Sequence, residues 1–142
     1  MVSDEAKARR AGQMRSLLFF PGFALLVAHE FDAVEQAEWR LLPLLNLMPD
    51  DTAYVVFVAL HVPLIAGLVW LTTHASPRIQ QRSQLGIDAF LIIHAALHWF
   101  LSSDPLYTFH SSLSNALIFG GGLVGLLHLV LLVRDMRVQG AR

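Results

Sequence analysis

Histidine and carboxylate side chains interrupt the apolar stretches of this chain. His29, Glu30 and Asp32 follow an apolar run that begins at Leu17. His61 stands inside a second run, and His94 and His98 lie four residues apart in a third. Imidazole nitrogens and carboxylate oxygens together ligate zinc, iron or manganese. A carboxyl group in an apolar setting can also serve as a general acid or base. The third reading is a hydrogen-bonded knot that only fixes packing. Seven histidines and no cysteine leave imidazole and carboxylate as the ligand chemistry, and exclude thiolate zinc, iron–sulfur clusters, disulfides and cysteine nucleophiles.

The elements that must position these groups are transmembrane helices. Of 142 residues, 55% are hydrophobic and 15% charged, with mean hydropathy +0.54. The length suits one membrane domain, residues 1–142. Four apolar segments, about 17–36, 53–71, 85–103 and 113–133, lie near the length that crosses a bilayer. Turn-formers separate them: Pro43 and Pro49-Asp50-Asp51, Ser76-Pro77, and Asp104-Pro105. The predicted fold is all-α, an integral membrane four-helix bundle.

Basic residues orient it. Lys7, Arg9, Arg10 and Arg15 precede the first span, Arg78 and Arg82 lie between the second and third, and Arg134, Arg137 and Arg142 follow the fourth. Arg40 alone falls on the other side, which places both termini in the cytoplasm. A signal peptide is the competing reading of the N-terminus, but the run ends in His-Glu-Phe-Asp instead of a small-residue cleavage site. Trp39, Tyr54, Trp99 and Tyr107 are expected as anchors at the outer boundary and Trp70 at the inner one. Leu41 to Met48 reads as an interfacial segment. The net charge of −1 offers no basic face for nucleic acid. Gly121 and Gly125 supply a small-xxx-small spacing, read as intrachain packing ahead of a homodimer contact.

Helical rise brings the chemistry to one level. His29, His61 and His98 each fall roughly 10–12 Å below the outer boundary, on three different helices. His94 is one turn deeper than His98 on the same helix face. The expected site therefore takes His29, His61, His94 and His98 as metal ligands, with Glu30 or Asp32 as ligand or base. Glu38 belongs to it only if the chain bends near Ala33 and folds back as a lid. Asp88 and His128 are read as a packing pair between the third and fourth helices, and His74 and His110 as solvated loop residues.

His29-Glu30-Phe31-Asp32, Glu38-Trp39 and "FVALHVPL" (57–64) carry a resemblance over most of the chain. It resembles a family of small bacterial integral membrane proteins of unknown function with a His-Glu-x-Asp…Glu-Trp signature, and is distantly similar to proteins with a His-x-x-Glu-Glu motif. The second match fails at Asp32 and Ala33. The resemblance implies a four-helix membrane protein and no activity; the expected location is the bacterial inner (cytoplasmic) membrane. The residues themselves point to a metal-dependent enzyme acting on a lipid or other apolar small molecule. The alternatives are a haem-binding electron carrier, with His61 facing His94 or His98, and a non-enzymatic transport or assembly subunit.

Overall fold

The computed structural model describes residues 2–140, and the side chains of 13–134 with 136 and 137. It consists of α1 (Val2–Glu35), α2 (Asp50–Thr72), α3 (Pro77–Leu101) and α4 (Ser112–Gly140). Two 3-10 turns, Glu38–Arg40 and Leu45–Leu47, lie between α1 and α2. No strand occurs among the described residues. The segments Gln13–Glu35, Asp50–Thr72, Pro77–Leu101 and Ser112–Arg134 are long and apolar enough to cross a membrane. The side chains of Lys7, Arg9 and Arg10, and all of Arg142, lie outside the described residues.

The helix ends follow local chemistry. Asp50 and Asp51 occupy the first turn of α2, where exposed amides favour negative charge. Pro77 opens α3, a position that needs no amide hydrogen. That proline starts α3 eight residues before the apolar stretch at Leu85, so residues 77–84 are helical where a polar connection was expected. Ser111 Oγ accepts the Ser114 amide at 2.9 Å, capping α4. Helices α1 and α2 continue through Pro21 and Pro63.

Helix α4 packs along both α1 and α3, and glycine makes that possible. A Cβ on Gly122 would lie 2.8 Å from Ala95 Cβ, and one on Gly125 would lie 3.1 Å from Leu91 Cβ. Apolar burial gives helices little reason to associate in lipid, so such close approach supplies the packing attraction. The glycine face is thus covered within the chain, by Leu25 of α1 and by Leu91 and Ala95 of α3. Helix α2 stands further out and contacts mainly α3 and the α1–α2 connection. Its Val55, Leu60 and Val62 are exposed, as a lipid-facing surface requires.

His128 Nδ1 of α4 and Asp88 Oδ2 of α3 lie 2.7 Å apart, both fully buried. The bond clips α3 to α4. Asp88→Ala is expected to cost about 1–2 kcal/mol, the upper range for one polar interaction between membrane helices. A thermal melt in detergent checks this. An unchanged melting temperature would show that the pair contributes nothing to packing.

Candidate metal centre

The α1–α2 connection reverses direction within two residues of the helix end. Ala37 adopts a left-handed conformation (φ 53°, ψ 47°). That backbone costs a non-glycine residue roughly 1–2 kcal/mol, so something must hold it. Two anchors do. Trp39 Nε1 donates to Asp50 Oδ1 at 2.9 Å, and the Arg40 guanidinium grips both Asp50 oxygens at 2.8 and 2.6 Å. Thr108 Oγ1 donates to the Gln36 carbonyl at 2.8 Å, joining the α3–α4 connection to the same cap. With its neighbour pinned, Glu38 is turned back over the end of the bundle and buried there.

Beneath it three imidazoles converge. His29 Nε2 of α1 and His94 Nε2 of α3 are 2.9 Å apart. Glu38 Oε2 is 3.6 Å from His29 Nε2, and Glu38 Oε1 is 3.5 Å from His98 Nε2. One ligand atom from each of the four residues lies within 4.8 Å of all the others. A tetrahedral ion with bonds of 2.0–2.1 Å separates its ligand atoms by about 3.3 Å. Three of the six pair distances, 2.9, 3.6 and 3.5 Å, bracket that edge, and the full set would have to draw in from a spread of up to 4.8 Å to close on an ion. A buried group of His29, Glu38, His94 and His98 could therefore hold a metal ion.

The surroundings fix the rings. His98 Nδ1 lies 3.2 Å from the Tyr107 hydroxyl, which leaves Nε2 to face the centre. Metal-bound histidines characteristically have such a partner on the second nitrogen. Burial pushes the Tyr107 phenol above its ordinary range, and the charges of Glu38 and Asp32 push the same way. Phe109 packs against the rings of His29 and His98. His29 Nδ1 and Asp32 Oδ2 are buried without a hydrogen-bond partner. The His29 ring therefore directs its bonding capacity through Nε2.

Burial alone would raise the Glu38 carboxyl. The His29 and His98 imidazoles outweigh it, with His94 adding to their effect, and hold the group at about 2 against an ordinary 4.5. Glu38 thus stays ionised in the folded chain where an unfolded one would be protonated. Its contribution to stability is complete above pH 4.5 and is lost as pH falls through about 2. Infrared difference spectra of the parent against Glu38→Gln, taken between those values, should show no protonated carboxylic acid band from Glu38. Such a band would mean that the imidazoles do not govern this carboxyl.

The sequence expectation and the structure differ in membership. His29, His94 and His98 come together. His61 does not join them, because α2 stands away from α1 and the His61 ring is tied elsewhere. Its Nδ1 donates to the Phe57 carbonyl at 2.6 Å and its Nε2 meets Glu30 Oε2 at 2.7 Å. Glu30 therefore forms a second polar pair beside the first group, while Asp32 is half-buried and joins neither. Glu38 enters at the centre through a bend at Ala37, not Ala33. Trp39 and Tyr107, expected as boundary anchors, are instead buried as supports of the cap. What the sequence does not reveal is the role of Tyr107 beside His98. Its signal was the short run Tyr107–Phe109 after Asp104-Pro105, whose turn is closed by Asp104 Oδ1 accepting the Leu106 amide. His74 is half-buried and accepts the Ser76 amide at 2.9 Å, and His110 is exposed.

A model of a family of unknown function, DUF6713, matches residues 15–135. The chain belongs to that family. The matched segment contains α1 from Arg15, all of α2 and α3, and α4 as far as residue 135, and with them every residue of the His/Glu group. No curated protein and no solved structure matches the chain. Membership in DUF6713 brings no activity with it, so function must be argued from the site.

Proposed function

We propose that this DUF6713 chain is a membrane-embedded metalloprotein, bound through His29, Glu38, His94 and His98, that acts on a lipid or other apolar substrate. The convergence of three imidazole Nε2 atoms and one carboxylate carries the reading. Nitrogen and oxygen donors in this ratio suit zinc, iron or manganese. Such an ion would supply Lewis acidity and an activated water. The protein's own residues do the rest. Tyr107 fixes the His98 ring, the cap excludes bulk water, and Glu30 with His61 provides an acid–base pair beside the centre.

The apolar substrate class is supported by a cavity of about 370 Å³ between α1, α2 and α3, lined by Glu30 and otherwise almost wholly by apolar side chains. The electron-carrier alternative, with His61 facing His94 or His98, is disfavoured by the ring partners: both His61 nitrogens are taken by the Phe57 carbonyl and Glu30, and His94 Nε2 faces His29 Nε2 at 2.9 Å. The basic bias of nine residues to one supports cytoplasmic termini, which fits a bacterial inner membrane. Reporter fusions should then read inside at Gln80 and outside at Asp50.

Elemental analysis of protein purified without a polyhistidine tag tests the main reading. One equivalent of a single transition metal per chain is expected. Metal-free protein that fails to take up zinc, iron or manganese would contradict it.

A further inference from the structure

We propose that the cavity between α1, α2 and α3 is a slot for one hydrocarbon chain, whose uncharged polar head is held at the Glu30–His61 pair. The slot stands on its own geometry, and the claim that its occupant is the substrate rests on the metal-site reading above.

The shape argues for a chain. The lining runs from Phe23 to Glu30 on α1, Leu64 to Leu71 on α2 and Ser83 to Phe90 on α3. Each stretch rises seven residues, so the slot extends about 10 Å along the helices. Helix direction places Glu30, Leu64 and Phe90 at one end, towards the α1–α2 connection. Phe23, Leu71 and Ser83 lie at the other. A Cβ on Gly86 would meet nothing within 4 Å, so this glycine keeps one wall open.

Polarity sets the orientation. Among the described residues Glu30 is the one ionisable residue lining the slot, and it stands at the end nearer the His/Glu group. Phe90 lines the same end and stacks on the His94 ring, with centres 5.1 Å apart and planes 25° from parallel. The head of an amphiphile would therefore rest one side chain away from the proposed metal. A polar head buried in hydrocarbon needs hydrogen-bond partners. His61 occupies only one Glu30 oxygen, so the other can accept from a hydroxyl. Among the described residues no Lys or Arg lines the cavity to pair an anionic head, and Glu30 would repel one. The head that fits is neutral, a hydroxyl or amide. The loose packing of α2 on α1 gives a chain a lateral way in from the bilayer.

The test is photolabelling of the full chain in nanodiscs with a long-chain fatty alcohol that carries a diazirine either beside the hydroxyl or near the tail. Head-proximal label is expected on Val27–Glu30 or Phe90, and tail label on Leu68–Leu71 or Ser83–Ile87. Gly86→Phe, which fills the slot, should abolish both labels while metal content and melting temperature hold. Ser83→Leu, at the far end, should abolish tail labelling alone. His98→Ala should lose metal and keep both labels, which separates this proposal from the metal site. Label spread evenly over the exposed α2 face, insensitive to Gly86→Phe, would mean annular lipid only and overturn the slot. Reversed label positions, or equal labelling by the matching fatty acid, would overturn the assignment of the head.

Discussion

Glu38→Ala is expected to lower metal affinity by more than about 100-fold, beyond the usual effect of altering a supporting residue. The carboxylate is the only anionic group among the four, and it closes the centre from above. His29→Ala and His98→Ala should be equally damaging, since each removes a buried nitrogen that no neighbour can replace. Tyr107→Phe should be milder, within about 10–100-fold, because it removes only the partner of His98 Nδ1. His61→Ala, His74→Ala and His110→Ala should retain the metal. Titration of metal-free protein with zinc, followed by calorimetry, ranks them. Loss of binding in His61→Ala equal to that in His29→Ala would place the centre at the Glu30 pair instead.

Gly122→Ala should lower stability by about 1–3 kcal/mol, the range for forcing a methyl group into a packed core. The new Cβ would meet Ala95 Cβ at 2.8 Å, and neither atom sits on a flexible side chain. Helices α3 and α4 must therefore separate, carrying His94 and His98 away from His29. Gly67→Ala is the control. Its Cβ would meet nothing within 4 Å, and alanine favours the helix, so stability should hold or rise by up to about 1 kcal/mol. Melting of both variants in one detergent decides the matter. Equal melting temperatures would show that the glycine seam is not what sets the α3–α4 distance.

How far each feature was legible depends on the distance over which its cause acts. The helices are local: apolar runs, prolines and acidic first turns mark them, and the structure departs where helix continues beyond the apolar runs, at residues 2–16, 77–84 and 134–140. The Asp88–His128 pair could be read because both heights follow from helical rise. The same rise placed His61 level with His29 and His98, yet height says nothing of which way a ring faces. Facing depends on how far α2 stands from α1 and on the bond from His61 to the Phe57 carbonyl. Glu38 was the hardest. Its position rests on a left-handed Ala37 held by Trp39, Arg40 and Asp50, contacts between residues ten and eleven apart that no periodicity reveals. Tyr107 likewise reads as a boundary tyrosine until Thr108 is seen tied to Gln36.

The most direct measurement is X-ray absorption at the edge of the bound metal. Three imidazole nitrogens and one carboxylate oxygen at about 2.0–2.2 Å should appear, and the imidazole scattering should fall by one ring in His94→Ala. A bound ion showing no more than one imidazole, or a spectrum unaltered by His94→Ala, would contradict a metal centre formed by His29, Glu38, His94 and His98.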